Sequence, residues 1–257
     1  MDSQALQEAL AVARKAAAEA DRIAMGYFRS ELAVEQKADA SPVTEADREC
    51  ERAIRRCILD SFPDHAIYGE EYGHDGDSRL LWLVDPIDGT RSFIRGLPFW
   101  SVQIGLMVDG ELVLGVSSAP AFRETAWAVR GGGAFINDQR VQAGTVARLE
   151  EADVSFGNLR TLATGPAWSW AGGIVARAAR SRGYGDFYSY HRLADGGQDV
   201  VIESDVNVLD IGALAVIVRE AGGMFTDLDG RPPGLETTSV LAASPALHQL
   251  LLSSRNE

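Results

Sequence analysis

The sequence predicts a mixed fold, with an α+β half over residues 1–145 and an α/β half over residues 146–257, joined in one compact unit. Its 257 residues are 46% hydrophobic and 24% charged, which are ordinary values for a globular chain with a large core. In the first half, two helical patterns precede a series of β-rich runs. In the second half, strand and helix patterns alternate, which is typical of α/β folds.

Two helical patterns begin the chain. Residues from Asp2 to Arg29 are rich in alanine and carry charges of both signs, which predicts an amphipathic helix and not a secretory signal. Thr44, with Asp47 three residues later, resembles a capping box at the start of a second helix. That helix should end near Phe62, which precedes a proline.

Composition limits the partners and the location. The net charge is −13 and no basic cluster occurs, which argues against a nucleic-acid partner. No apolar run approaches the roughly 20 residues of a membrane span, so we expect no membrane contact. Cys50 and Cys57 lie seven residues apart in one helix, about 10 Å along its axis, too far for a disulfide. We therefore expect a reducing, cytoplasmic location.

The most informative stretch is Leu80–Phe93. Leu80–Val84 read as a buried strand, which Pro86 should stop at Asp85. Asp88 follows, and Gly89 and Thr90 permit a tight turn whose N–H groups face an anion at a helix start. Two carboxylates this close need a shared proton or cations, and hard oxygen ligands suit Mg²⁺. The alternative interpretation is an Asx-type turn with solvated aspartates.

Short β-rich runs surround this stretch. Ala66–Tyr68 should direct one of Glu70 and Glu71 towards it, because neighbouring residues of a strand point in opposite directions. The segment Gly73–Ser78 reads as a mobile turn that could gate a pocket. The remaining predictions are strands over 100–107, 112–116 and 125–129, a hairpin turn at Asp109-Gly110, and a tight turn, rather than a phosphate cradle, at Gly131–Gly133.

The second half alternates strands and helices. Strands are predicted over 152–156 and 199–203, helices over 170–180 and 208–221, and a turn and strand end over 183–187. Gly222-Gly223 should close the last of these helices. Asp210 lies in its first turn, where the helix dipole alone favours an acid by about 0.3–1 kcal/mol.

Three motifs together resemble the inositol monophosphatase superfamily of Mg²⁺-dependent, lithium-sensitive phosphatases. They are Gly69-Glu70-Glu71, Asp85-Pro86-Ile87-Asp88-Gly89-Thr90, and Asp210 with Ala213 followed by Glu220-Ala221-Gly222-Gly223. The resemblance covers nearly the whole chain in order and spacing. It implies a layered αβαβα sandwich, a phosphate monoester substrate and, by analogy only, a homodimer.

The resemblance also implies a set of site residues. Glu70, Asp85 and the backbone carbonyl of Ile87 would hold one Mg²⁺, and Asp85, Asp88 and Asp210 a second, with two or three ions per site. Glu70 and Thr90 would position the attacking water, with Asp47 behind Thr90. Asp88 and the N–H groups of Gly89 and Thr90 would face the phosphate. Lys37 matches a family lysine but also reads as an ordinary surface cation.

Two residues depart from the family pattern. Leu209 stands where a tryptophan usually precedes the last metal-binding aspartate, which puts the support of Asp210 in question. Arg91-Ser92 replaces the commoner Thr-Asn or Lys-Asn after the motif threonine. Neither change removes a ligand, so we expect an active enzyme.

The segment Tyr184–Tyr190 bears on the substrate. It resembles the Tyr-Gly-Asp-Phe segment of the family's histidinol-phosphate phosphatase branch. Asp186 beside Glu203 would place two anions against the leaving group, which suits an ammonium or imidazolium better than a neutral polyol. The alternative is that Asp186 is only a turn residue after Gly185.

The leading hypothesis is therefore hydrolysis of L-histidinol phosphate, in histidine biosynthesis. The alternative is an inositol monophosphatase or a broad sugar-phosphate phosphatase. Bisphosphate substrates are disfavoured because the sequence has no Arg/Lys cluster for a second phosphate. A different class of function, a regulatory partner of RNA-processing machinery, is disfavoured by the absence of a basic patch.

Overall fold

The computed structural model describes residues 1–30, 34–36 and 42–255, so Lys37 lies outside the described residues. Helices α1 to α8 comprise Ser3–Tyr27, Glu45–Ser61, Thr90–Ile94, Leu159–Thr164, Trp168–Arg177, Asp186–Ala194, Val208–Glu220 and Pro245–Arg255. Strands β1 to β15 comprise Val34–Gln36, Pro42–Thr44, Ala66–Gly69, Gly73–Asp75, Leu80–Asp88, Ser101–Val108, Glu111–Ala119, Glu124–Val129, Gly133–Ile136, Gln139–Val141, Asp153–Phe156, Arg180–Arg182, Val200–Ser204, Met224–Thr226 and Ser239–Ala243.

Two large sheets alternate with three layers of helices, and β1 and β2 form a separate antiparallel pair. The larger sheet has the strand order β10-β9-β8-β7-β6-β5-β3-β4, and the smaller one β12-β11-β13-β15-β14. Helices α1 and α2 cover the outer face of the larger sheet, α6 and α7 lie between the sheets, and α4, α5 and α8 cover the far face of the smaller sheet. This arrangement confirms the expected αβαβα sandwich. The division at residues 145 and 146 stays a prediction.

Strand β5 lies inside the larger sheet and carries the central stretch. It pairs in parallel with β3 and antiparallel with β6, and its central apolar residues, Trp82 to Val84, are buried on both faces. The β6–β7 hairpin turns at Asp109 and Gly110, both with positive φ, as predicted. The ends of β3 and β5 therefore deliver their carboxylates to the same edge.

Helix α7 packs closely on the hairpin because two glycines make room for it. Gly105 and Gly115 are paired across β6 and β7. A Cβ built on Gly115 would lie 2.8 Å from the Cα of Ala213 in α7, whereas one built on Gly105 would lie 3.4 Å from the nitrogen of Ala213. The glycine at 115 therefore sets the distance between α7 and the sheet.

Three predicted elements are corrected by the structure. Gly73–Asp75 forms strand β4 against β3, so this part of the expected mobile turn is paired. Strand β5 does not stop at Pro86 but continues to Asp88, because a bulge between Asp85 and Asp88 accommodates the missing donor. The strand end expected within 183–187 is wrong, because the turn at Gly185 and Asp186 leads into helix α6, which begins at Asp186.

The helix predicted over 170–180 is shifted. Helix α5 spans Trp168–Arg177, and Arg180–Arg182 instead pair in parallel with Asp153–Ser155 of β11. The strand predicted over 112–116 extends three residues further, to Ala119, and the other predicted strands and helices are present within two residues of their expected bounds. In the described part of the chain, no helix is both long and apolar enough to span a membrane.

Candidate active site

A cavity of about 420 Å³ lies where β5, α3, α6 and α7 meet. Its lining includes every predicted site residue except Asp47, namely Glu70, Asp85, Ile87, Asp88, Gly89, Thr90, Asp186, Glu203 and Asp210. A larger groove of about 710 Å³ lies between α5 and α8, but its lining has no carboxylate among the described residues. The acidic cavity is therefore the candidate active site.

The end of β5 places two aspartates in this cavity. Asp85 is 2% exposed, and its Oδ1 accepts a hydrogen bond from the N–H of Ile87 at 2.9 Å. The Asx-type turn weighed for this stretch is thus real, but Asp85 is buried rather than solvated. The bulge after Asp85 brings Asp88 to the same end of the strand.

Asp210 reaches the cavity from the first turn of α7. Asn207 caps this helix, and the N–H and Nδ2 of Asn207 each donate to the Asp210 carboxylate at 2.9 Å. The carboxylates of Asp85, Asp88 and Asp210 offer oxygens that all lie within 4.8 Å of one another. Asn207 thus supports Asp210, while Leu209, the departure from the family pattern, is packed in the core.

Glu70 approaches the same carboxylates from the end of β3. Its N–H donates to the carbonyl of Val84 at 3.1 Å, which extends the pairing of β3 with β5. The next amide, that of Glu71, instead bonds the buried carboxylate of Glu51 at 2.6 Å. Glu70 is therefore the member of the pair that lines the cavity, as predicted.

The clustered acids are electrostatically unfavourable without a counter-charge. Burial, followed by the charges of Glu70 and Asp88, raises the pKa of Asp85 well above its ordinary value. Burial raises the pKa of Asp210 to about 6. Several carboxylates converging in one cavity fit a hard divalent cation, which removes this repulsion and accepts oxygen ligands.

Thr90 lies between this cluster and Asp47. The Thr90 hydroxyl is 3.1 Å from the carbonyl oxygen of Ile87 and 3.5 Å from Oδ1 of Asp47. Oδ2 of Asp47 accepts from both the N–H and the hydroxyl of Thr44. The predicted capping box is thus confirmed, and the second oxygen of Asp47 is left to face Thr90.

Gly89 provides the turn between Asp88 and Thr90. Its φ is 86°, and a Cβ there would lie 2.6 Å from the carbonyl oxygen of Phe99. Only glycine fits this conformation and this close approach. The backbone can therefore turn directly into α3 at the floor of the cavity.

A second pair of acids, Asp186 and Glu203, forms an acidic wall of the same cavity. Burial raises the pKa of Asp186 to about 6. Burial, with the charges of Asp186 and Asp210, raises the pKa of Glu203 to about 8. Tyr190 donates to Glu203 at 2.6 Å and also lines the cavity, as do Asn158 and Arg91. Tyr190 was not predicted, because only the unrecognised helix α6 places it one turn after Asp186.

The layered fold and the carboxylate cavity define a metal-dependent phosphoric monoester hydrolase. A family model described as "Inositol monophosphatase family" matches residues 5–257. The chain belongs to the inositol monophosphatase family.

Individual relatives match over nearly their whole length. A protein named histidinol-phosphatase from Mycobacterium tuberculosis is 38% identical, over 100% of this chain and 99% of its own. One of the same name from Chlorobaculum parvum is 37% identical over 97% and 95%. The structure of an inositol monophosphatase from Zymomonas mobilis superposes with a TM-score of 0.87 at 31% identity, covering 98% of both chains.

Proposed function

We propose that this enzyme hydrolyses L-histidinol phosphate to L-histidinol and phosphate, with Mg²⁺ as cofactor. The observation that carries the proposal is the acidic wall formed by Asp186 and Glu203, which line the same cavity as the Asp85 cluster. The similarity to two proteins named histidinol-phosphatase supports the same substrate.

The cavity offers two sets of oxygen ligands. Glu70, Asp85 and the carbonyl of Ile87 would hold one Mg²⁺, and Asp88 and Asp210, with Asp85 shared, a second; two or three ions per site are proposed. When bound, these ions neutralise the phosphoryl oxygens and make the attacking water more acidic.

The side chains around the cluster orient the reactants. Glu70 and Thr90 would hold the attacking water, with Glu70 accepting its proton, while Asp47 fixes the hydroxyl of Thr90. The backbone N–H groups of Gly89 and Thr90 would bind phosphate oxygens, with Asp88 beside them. The water oxygen bonds to phosphorus, the ester P–O bond breaks, and the released alkoxide oxygen takes up the proton that the attacking water gave to Glu70.

The acidic wall would select the leaving group. L-Histidinol carries an ammonium group, which can form charge-assisted hydrogen bonds with Asp186 and Glu203. A neutral polyol gains less from two buried carboxylates that repel each other. The second candidate is an inositol monophosphate, because the hydroxyl-bonded carboxylate of Glu203 could equally accept a sugar-like hydroxyl.

Substitution of Asp186 by asparagine tests the substrate. Asp186 has φ 47°, which asparagine tolerates, so the variant should fold. We expect kcat/KM for L-histidinol phosphate to fall about 100-fold and that for inositol 1-phosphate to change by less than about threefold, measured as released phosphate.

Asp205→Asn is the matched control. Asp205 also has a positive φ and is an acid at the end of β13, but it is exposed and bonds Thr161 instead of lining the cavity. This variant should leave both substrates unaffected. Equal losses on both substrates in Asp186→Asn would contradict a cation-selective pocket and favour the second candidate.

We further propose a homodimer and a cytoplasmic location. Both follow the family resemblance and the composition. The mass of the purified protein by light scattering tests the first, and fractionation of cells tests the second.

A further inference from the structure

A row of buried polar side chains leads away from Asp88 without lining the cavity. Its members are Ser101 and Gln103 on β6, Ser117 on β7 and His191 on α6, all with 0% exposure. Polar groups this deeply buried cost free energy unless each is hydrogen-bonded, so their partners are informative.

The contacts form one continuous path. The hydroxyl of Ser101 lies 3.4 Å from Oδ2 of Asp88, and Nε2 of Gln103 lies 2.8 Å from Ser101 Oγ and 3.1 Å from Ser117 Oγ. Ser117 Oγ lies 2.8 Å from Nε2 of His191. The path ends where Nδ1 of His191 lies 2.7 Å from the Glu124 carboxylate.

Strand register explains why these residues meet. Asp88 is paired with Ser101 across β5 and β6, and Gln103 with Ser117 across β6 and β7. Side chains paired across strands, and those two apart on one strand, lie on the same face of a sheet. The sheet itself therefore sets the first three links, and α6 adds His191.

The donors can be assigned from the far end of the path. Glu124 is a carboxylate bonded to Arg192 and only accepts, so the Nδ1–H of His191 donates to it and Nε2 accepts from the Ser117 hydroxyl. Burial lowers the pKa of His191, consistent with a neutral ring. The Ser117 oxygen then needs a donor, which fixes the amide of Gln103 with its nitrogen towards the serines.

This orientation leaves one role for Ser101. Its oxygen accepts from Gln103, so its own hydrogen is free to point at Asp88. Gln103 holds this orientation although its buried Oε1 has no hydrogen-bond partner among the described residues, which is unfavourable. The Gln103 amide is thus oriented so that its Nε2 donates to both serines, although its Oε1 then accepts no hydrogen bond from the described residues.

We propose that Ser101 is a positioning residue for the metal ligand Asp88, and that Gln103, Ser117 and His191 fix the direction of its hydroxyl. The hydrogen bond holds Oδ2 of Asp88, which restricts rotation of the carboxylate and leaves the other oxygen to face a cation. This inference rests on the proposed metal-binding role of Asp88 but not on the identity of the substrate.

The test measures Mg²⁺ binding by calorimetry in the absence of substrate. Ser101→Ala should weaken Mg²⁺ binding about tenfold, and Ser117→Ala, two links away from Asp88, about threefold. The double variant should bind little more weakly than Ser101→Ala alone, because Ser117 acts through Ser101. The Mg²⁺ concentration for half-maximal phosphate release should rise in parallel, with KM for the ester changed by less than about twofold.

Ser118→Ala is the matched control. Ser118 follows Ser117 on β7, is equally buried, and bonds Asp21 at 2.6 Å and Thr125 at 3.0 Å. Ser117→Ala and Ser118→Ala should lose comparable thermal stability, but Ser118→Ala should bind Mg²⁺ like the wild type. If Ser117→Ala and Ser101→Ala do so too, the row is only structural and the inference is wrong. If the wild type itself binds no Mg²⁺, both the proposed function and this inference are wrong.

Discussion

Asp210 illustrates how one carboxylate can serve a helix and a site at once. In a capping box, the acid at the third helical position bonds back to the N–H of the cap residue. Asn207 and Asp210 form this motif, and Nδ2 of Asn207 adds a second bond to the carboxylate. The carboxylate is therefore oriented from its own backbone, and a bulky neighbour at position 209 is not required.

Substitution of Asn207 by alanine should separate these two effects. We expect loss of about 1 kcal/mol of stability from the missing cap and about tenfold weaker Mg²⁺ binding from the freed carboxylate. Thermal unfolding and calorimetry measure the two quantities. Asp2→Ala, which removes the cap of α1 bonded to Ala5 at 2.9 Å, should lower stability alone. Unchanged Mg²⁺ affinity in Asn207→Ala would show that Asp210 needs no support.

At this scale, local sequence predicts some residues and not others. Asp85, Asp88 and Thr90 lie within six residues of sequence at the end of one strand, so their proximity needs no knowledge of the fold. Ser101 and Ser117 depend on the register of three strands, which a single sequence does not specify. One available signal for these serines was their occurrence in largely apolar strands. A second signal, for the support of Asp210, was the spacing of Asn207 and Asp210, which is that of a capping box.

At the scale of elements, the seating of α7 decides where Asp210 lies. Ala213 is one turn after Asp210 and rests against Gly115 of β7. A rigid helix transmits a displacement at one turn to the next. The size of the residue at position 115, here glycine, therefore controls the distance of Asp210 from the aspartates of β5.

Gly115→Ala should push α7 away from the sheet. We expect a loss of about 1–3 kcal/mol of stability from overpacking. In the molecules that remain folded, kcat/KM should fall by about 100-fold, because Asp210, a proposed metal ligand, is misplaced. Denaturant unfolding and phosphate release measure these effects.

The paired glycine supplies the control for this prediction. A methyl group on Gly105 meets its nearest neighbour at 3.4 Å, an ordinary contact. Gly105→Ala should therefore change stability by no more than about 1 kcal/mol and leave activity intact. Similar losses in both variants would mean that the fit of α7 is not what places Asp210.

Helix α6, which carries Asp186 and Tyr190 of the cavity, is an element that the local sequence did not predict. Gly185 and Asp186 both have positive φ, and residues with that preference normally indicate a turn. Here the turn leads directly into a helix whose Phe187, Tyr190 and Leu193 are buried in the central core. The local sequence indicates the turn correctly, but the helix after it depends on tertiary packing.

For the molecule as a whole, the buried acids link stability to pH and metal. Asp85, Asp88, Asp186, Glu203 and Asp210 all have raised pKa values in the folded state. In the unfolded chain they titrate near 4. Between pH 4 and the raised pKa values, these acids bind more protons in the folded state than in the unfolded chain. Their contribution to the stability of the metal-free protein therefore falls as pH rises.

Mg²⁺ should therefore stabilise the protein more at high pH. We expect the metal-free melting temperature to fall between pH 5 and pH 8.5, through the pKa of about 6 of Asp210 and of about 8 of Glu203. The rise in melting temperature on adding Mg²⁺ should grow over the same range, because the ions replace protons. Scanning calorimetry measures both melting temperatures, and NaCl added at matched ionic strength in place of Mg²⁺ is the control. A shift independent of pH would contradict a metal site built from these acids.

The order of the chain has a consequence for its synthesis. The larger sheet is complete by residue 141, yet the helix that covers its inner face, α7, spans Val208–Glu220. While the intervening residues leave the ribosome, one apolar side of a finished sheet has no permanent cover, and exposed apolar surface of this kind promotes aggregation. We therefore expect the nascent chain to need transient cover on this face, by chaperones or by its own α6, until α7 has been synthesised.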